Sequence, residues 1–391
     1  MRLGVVTSCV SRRAGGLFHS VRRLSQTTRD LGEDVSVFSL ADDDTPADIG
    51  AWLPIVPELA HVVGPHRLGY SPGLSKLIRS FASENALLHQ HGIWQFPSAD
   101  VLRWRRHSGQ PTVISPRGML DPWAVKNSAL RKKIVGFLYE YANLRAASCI
   151  HALAESEYVG IRQFGLRGPV AVIPNGIDIP SEVELETPLP SDFPSAWHGS
   201  RVLLFLGRVH PKKGLVPLLE GWAKLGSIKQ DWKLAIAGPD EVGHHAEIAL
   251  RIDALGLRHE ATLVGPQYGI GKKQWLNRAD AFVLPSFSEG FPMAVLEAMA
   301  HRLPVLMTRE CHFPEAFDAG VAYEAKPQAD SLAEQLEQLF ARSSTDLNEV
   351  GVRARQFTAE RYSWPIIARE MIDVYRWLLD GGAPPSTVRL D

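Results

Sequence analysis

The chain alternates short apolar runs with longer stretches in which apolar residues recur every three or four positions. In the first half the runs are Arg2–Thr7, Asp34–Leu40, Ala86–His91, Thr112–Ser115, Ser148–Ala152 and Val170–Ile173. Their length and β-branched content predict strands, and the helical patterns between them begin with Leu17–Leu31, ended near Gly32. Pro174–Ser200 lacks any apolar period and is rich in Pro, Ser and acidic residues, which predicts a linker. The alternation restarts with Val202–Leu206, Lys233–Ala237, Ala261–Val264, Ala281–Leu284 and Pro304–Met307. The expected class is α/β, with two doubly wound, Rossmann-like parallel-sheet domains over residues 1–173 and 201–361 and the linker at 174–200. Ligands bind beyond the carboxyl ends of such strands, so a cleft with the two sheets facing each other is the expected active site.

A length of 391 residues suits two cores, and 45% hydrophobic with 22% charged residues suits a globular chain. Cys9, Cys149 and Cys311 are odd in number and far apart, which argues for a reducing compartment rather than a disulfide framework. No run reaches the roughly 18 apolar residues of a membrane span, and the N-terminal run is too short for a signal-peptide core. A cytoplasmic location is expected. The net charge of −1 hides an asymmetry: residues 1–170 hold 20 Lys/Arg against 14 Asp/Glu, residues 171–391 hold 22 against 29. The basic half suggests an anionic partner.

The densest chemical signal surrounds Glu289, in AFVLPSFSEGFPMAVLEAMAHRLPVLMT. A strand, Ala281–Leu284, leads through a polar turn, Pro285–Gly290, into a helix from Met293 to His301, with Pro292 suited to the first turn. A helix start offers unpaired N–H groups and a positive dipole end to an anion, and Gly290 would let backbone approach a phosphate. Glu297 is placed to accept from ribose hydroxyls, whereas Glu289 should avoid phosphates and meet sugar hydroxyls. A spacing of eight between two glutamates is common by itself; the whole string is far more specific.

This string resembles the E-x7-E signature of the family 4 retaining glycosyltransferases, enzymes of the two-domain GT-B fold. The resemblance gives Glu289 the donor sugar, Glu297 the ribose, and the backbone of Gly290, Phe291 and Met293 the diphosphate. It also matches FLGRVHPKKG, where the family's G-R-x4-K-G places diphosphate-binding cations at Arg208 and Lys213. Fixed cations can neutralise a diphosphate without a metal, so neither metal nor cofactor is expected. Gly15–Gly16, between the first strand and first long helix, matches the family's loop beside acceptor and phosphate, and Val264–Gly265–Pro266 its base-binding turn. His91 ends a strand that faces the cleft in relatives and is the chosen sugar or acceptor contact. In SPRGMLDPWA many relatives carry His where this chain has Arg117. Arginine cannot act as a base but can hold a phosphate, so catalytic candidates are Glu289, His91 and Arg117. The resemblance puts Asp121 and Trp123 near the acceptor pocket, and a structural role is equally open to them.

His89 and His91 share a strand face, but no third ligand at metal spacing follows. Asp42–Asp44 lies in the wrong half for a donor metal and reads as a solvated loop. The tail Arg361–Leu379 predicts one amphipathic helix, which the resemblance folds back onto the first domain (about 362–380). Basic clusters at Arg12–Arg13 with Arg22–Arg23, at Arg103–Arg106 around Trp104, and at Arg131–Lys133 point to an anionic membrane surface on its inner face. No nucleic-acid motif is present, and a pI near 6.9 argues against that partner. The expected activity is retaining transfer of a hexose-type sugar from a nucleotide diphosphate to a lipid-linked or polysaccharide acceptor, as in bacterial surface polysaccharide or lipopolysaccharide synthesis. Alternatives are a starch- or glycogen-synthase-like or small-glycoside-forming transferase, and a silent nucleotide-sugar-binding subunit.

Overall fold

The apolar runs become the strands of two sheets, each with its own core. The structure, a computed structural model, describes every residue except 82–83, 122–128 and 230. Trp123 therefore lies outside the described residues. Contacts divide the chain into two units, Met1–Gly176 with Trp364–Asp391, and Ile177–Ser363.

The first unit contains strands β1 (Arg2–Thr7), β2 (Asp34–Leu40), β3 (Glu58–Ala60), β4 (Ala86–His91), β5 (Thr112–Ser115), β6 (Cys149–Ala152) and β7 (Val170–Val172). The second contains β8 (Arg201–Leu206), β9 (Trp232–Ala237), β10 (Ala261–Gly265), β11 (Ala281–Leu284), β12 (Val305–Thr308) and β13 (Ala322–Ala325), and the tail returns β14 (Val388–Arg389) to the first. The first sheet runs β14-β7-β6-β5-β4-β1-β2-β3, parallel except for β14. The second runs β10-β9-β8-β11-β12-β13 and is parallel throughout. In both, the order reverses at one place, between β1 and β4 and between β8 and β11. There the crossovers diverge to opposite faces and leave a crevice at the strands' carboxyl ends. Two Rossmann-like parallel-sheet units are thus the observed class.

Central strands are buried along all or all but the first of their residues because helices cover both faces, which is why they read as near-continuous apolar runs. The linker expected at 174–200 falls differently. Residues from Ile177 onward belong to the second unit, and Ile177 and Trp197 join its core. The tail is two helices, Ser344–Tyr362 and Trp364–Asp380, separated at Ser363, which has extended backbone. Trp364, Ile367, Met371 and Tyr375 of the second helix pack into the first unit's core. Its Arg376 reaches Glu33, which also accepts from the N-terminal ammonium.

Candidate active site

In the second unit, the Arg208–Lys213 and Glu289–Glu297 motifs follow the two strands that flank the reversal point. β8 ends at Leu206 and leads through Gly207 and Arg208 to a short turn, Pro211–Lys213, before the helix Leu215–Lys224. β11 ends at Leu284 and leads through the Glu289 loop to the helix Met293–Ala300, for which Pro292 is the capping residue rather than part of the first turn. The Phe287 N–H donates to the Lys212 carbonyl at 2.8 Å, which pins one loop to the other. The Lys213 ammonium then meets Glu289 Oε1 at 2.5 Å, with both side chains nearly covered, 13% and 12% exposed. A second donor, Ser286 Oγ, reaches the same oxygen at 2.5 Å. The Glu289 backbone is also held: its N–H donates to the Glu310 carbonyl, and its carbonyl accepts from His312 Nδ1. Glu289 is a fixed carboxylate with one oxygen committed to a cation and a hydroxyl.

Glu297 lies on the helix Met293–Ala300, where Lys272 Nζ reaches its Oε1 at 2.7 Å. Lys272 comes from the helix Gly269–Arg278 beyond β10, whose last residue, Gly265, has φ 72°. Gly265 is thus at a strand end with left-handed backbone, and its carbonyl accepts the Gly238 N–H. Arg208 is turned outward and pairs with Glu241 at 2.5 Å, both exposed. The structure therefore joins Lys213 with Glu289, places Glu297 with Lys272, and leaves Arg208 on a surface pair of small intrinsic worth. At the helix start the Met293 N–H bonds to the Phe291 carbonyl, and Phe291 packs against Phe313. Gly290 has no positive φ, and a Cβ there would meet open space, so the fold itself does not require this glycine.

In the first unit the reversal point carries Gly15–Gly16 after β1 and His91 at the end of β4. Gly15 (φ 57°) caps the helix Gly16–Asp30, and Gly16 is its first residue. Thr7 and His91 are register partners, and with Ser8, Gln90, Gly92 and Ser98 they border a cavity of about 10 Å³. His91 is 2% exposed. Its Nδ1 lies 2.9 Å from Arg117 Nη2, and Arg117 Nη1 donates to Asn175 at 2.7 Å. Arg117 has left-handed backbone, φ 56°. Burial lowers its pKa to about 10, opposed by nearby Glu157, so it stays a cation at neutral pH. Asp121 lies close to Gly118 and Gly160 in the same neighbourhood.

The Asp42–Asp44 loop is solvated at Asp43, whose side chain is 90% exposed, but is tied down on either side of it. Asp42 accepts from Ser11 Oγ and Cys9 Sγ, and Asp43 and Asp44 pair with Arg13. Arg12 is likewise taken by Asp48, and Trp104 is buried.

Two family models divide the chain, Glycosyltransferase Family 4 over residues 14–180 and Glycosyl transferases group 1 over residues 191–357. The chain belongs to glycosyltransferase family 4. It is 26% identical to the phosphatidyl-myo-inositol mannosyltransferase of Mycobacterium leprae, covering 98% of both chains. It is 25% identical to the lipopolysaccharide 1,2-N-acetylglucosaminetransferase of Salmonella typhimurium, over 43% of this chain and 46% of that one. Anabaena Alr3699/HepE, solved in complex with UDP and glucose, shares the fold with a TM-score of 0.69 at 18% identity, covering 95% of this chain and 98% of that one. The architecture is accordingly that of GT-B glycosyltransferases.

Sequence reasoning about this glycosyltransferase missed Lys272, Ser286, Glu241 and His312. Ser286 was the most accessible, being three residues from Glu289 in the same polar turn. The others arrive from separate elements, and only the folded sheet brings them in.

Proposed function

We propose that this glycosyltransferase moves a hexose-type sugar from a nucleoside diphosphate to a lipid-linked or polysaccharide acceptor, with retention at the anomeric carbon. The Lys213–Glu289 pair at the reversal point of the second sheet carries this reading. Lys213, with Arg208 swung from Glu241, would meet the charge that develops on the leaving diphosphate, so that no metal is needed. Glu289 would accept from hydroxyls of the sugar, Glu297 from the ribose, and the Gly290–Met293 backbone would face the phosphates. No side chain is assigned as a covalent nucleophile, and front-side displacement fits retention. The relatives' names, a phosphatidyl-myo-inositol mannosyltransferase and a lipopolysaccharide transferase, support an envelope glycolipid or polysaccharide as acceptor. The test is a panel of UDP-, GDP-, ADP- and dTDP-sugars in excess EDTA, with product linkage read by NMR. One donor should be turned over with its anomeric configuration kept, and Glu289→Ala should lose that turnover. An inverted product would overturn retention. No turnover by any donor, with unaltered donor binding in Glu289→Ala, would leave a silent binding subunit.

We also propose that the enzyme rests on the inner face of an anionic membrane. Among the described residues no helix is long and apolar enough to cross a membrane. Of the three basic clusters, the one at Arg131–Lys133 adjoins exposed apolar residues. Leu130, Ile134, Phe137 and Leu138 are 54% to 87% exposed and recur at helical spacing over Ala129–Glu140. Exposed Arg131 and Lys133 flank them. Such a stripe buries its apolar side chains among lipid tails while the cations meet headgroup phosphates. Phe137→Ser with Ile134→Ser should lower co-sedimentation with phosphatidylglycerol vesicles about tenfold or more, from the apolar area lost. Turnover on a soluble acceptor should be unchanged. Equal sedimentation of both proteins would remove this helix from the membrane contact.

A further inference from the structure

Four buried residues of the first unit form a one-way chain of hydrogen bonds. His151 Nε2 is 2.8 Å from the Ile173 carbonyl, which can only accept, so His151 carries its proton on Nε2. Burial lowers the His151 pKa to about 3, so the ring is neutral and its Nδ1 accepts. The Ser115 hydroxyl, 2.7 Å away, must donate to it. Ser115 Oγ in turn accepts from His89 Nε2 at 2.7 Å. His89 Nδ1 then accepts from the Tyr375 hydroxyl at 2.6 Å. Every proton in this chain is placed by the carbonyl at its end.

His91 packs against His89, ring centroids 3.9 Å apart and planes tilted by 34°, and is outside that chain. Its Nδ1 faces the Arg117 guanidinium, which has donors and no acceptor. An Nδ1–H tautomer would set two donors head-on at 2.9 Å, and an imidazolium would add a second buried positive charge beside the guanidinium. Burial first, and then His89, Arg117 and His151 among the described residues, disfavour a charge on His91. One state remains, a neutral ring with its proton on Nε2. That nitrogen is buried and, among the described residues, has no hydrogen-bond partner.

We infer that Arg117 is a positioning residue that locks His91 as a neutral hydrogen-bond donor through Nε2–H at the crevice between β1 and β4. His91 therefore cannot be a general base, because its only basic nitrogen is occupied. It offers one fixed donor to an oxygen of the ligand. That oxygen is a sugar hydroxyl in the proposed reaction, an assignment that rests on the glycosyltransferase reading. Asn175 holds the other end of the fork, so the guanidinium cannot turn away freely.

The test uses the full chain labelled with 15N-histidine, with His91 assigned by difference from His91→Gln. The wild-type ring should show the Nε2–H pattern unchanged between about pH 5 and 8. In Arg117→Met the His91 signal should move to mixed tautomers or titrate, and Arg117→Lys, another donor-only side chain, should restore the lock. Wild-type His91 in the Nδ1–H form, or titrating in that window, overturns the inference even if Arg117→Met does not fold. In kinetics, His91→Gln keeps an N–H near the Nε2 position and should retain most of kcat/KM. His91→Asn places its amide near Nδ1 and should lose about 10- to 100-fold. Equal losses would overturn the donor role. The tautomer measurement needs no turnover, so an inactive wild-type protein with the lock intact would count against the proposed reaction alone.

Discussion

Lys213→Ala is expected to lower kcat for sugar transfer by about two to three orders of magnitude, the size seen when one fixed donor to a developing anion is removed. The rest of the site stays in place when the ammonium goes. Glu289 keeps Ser286 Oγ on its carboxylate, the Glu310 carbonyl on its N–H and His312 on its carbonyl. Its position should survive loss of the ammonium, and the penalty in stability should be small beside the kinetic one. Glu289→Ala makes the complementary case. It frees the Lys213 ammonium from the carboxylate that pairs with it, so a nucleoside diphosphate should bind as well as before or more tightly while turnover is lost. Calorimetric titration with the diphosphate distinguishes the two variants: Lys213→Ala should weaken binding about tenfold or more, from the loss of one charge-assisted bond. If Glu289→Ala weakens it equally, the division into a phosphate cation and a sugar acceptor is wrong.

The strands that were legible in the sequence are those whose environment is apolar on both faces. β8 and β11 were found within a residue because nothing in them needs to be polar. β3 (ELA), β13 (AYEA) and β14 (VR) escaped because they sit at or beside sheet edges, are short and carry charged residues. The tail was read as one helix although Pro365 stands one residue beyond Trp364. A proline in the first turn marks a helix start, and it would have placed the break at Ser363. The candidate site divides in the same way. The Glu289 string was legible because strand, turn and helix are consecutive in sequence. The partners of its charged groups were not, because Lys272 and Glu297 are 25 residues apart and Arg208 and Glu241 are 33. Basic clusters in a sequence do not show which of their charges are already neutralised. Tyr375, 286 residues from His89, carries no local mark of the hydrogen bond it makes.

Gly214→Ala should damage both fold and turnover, and it separates two kinds of glycine in this site. Gly214 has φ 69°, a conformation that costs a residue with a side chain about 1 kcal/mol or more. Steric overlap costs more than this: a Cβ at this position would run into the Pro285 carbonyl oxygen, which is backbone and cannot rotate away. Relief requires the loop after β8 to withdraw from the loop after β11. That movement breaks the Phe287-to-Lys212 bond and draws Lys213 from Glu289. A loss of about 3 kcal/mol or more in stability is expected, within the range for backbone strain combined with overpacking. Turnover should fall at temperatures where the variant is still folded. Gly290→Ala is the contrast, since its φ is ordinary and its Cβ meets open space. Its stability should match wild type within the scatter of about 0.5 kcal/mol usual for surface changes. If Gly290 serves the donor, through close approach of its backbone to a phosphate, the substitution will weaken nucleotide binding alone. Thermal melts with and without the diphosphate read both effects. A Gly290→Ala variant that melts early would mean that the fold depends on this glycine, and a Gly214→Ala variant that melts with wild type would mean that the two loops are not held together at that point.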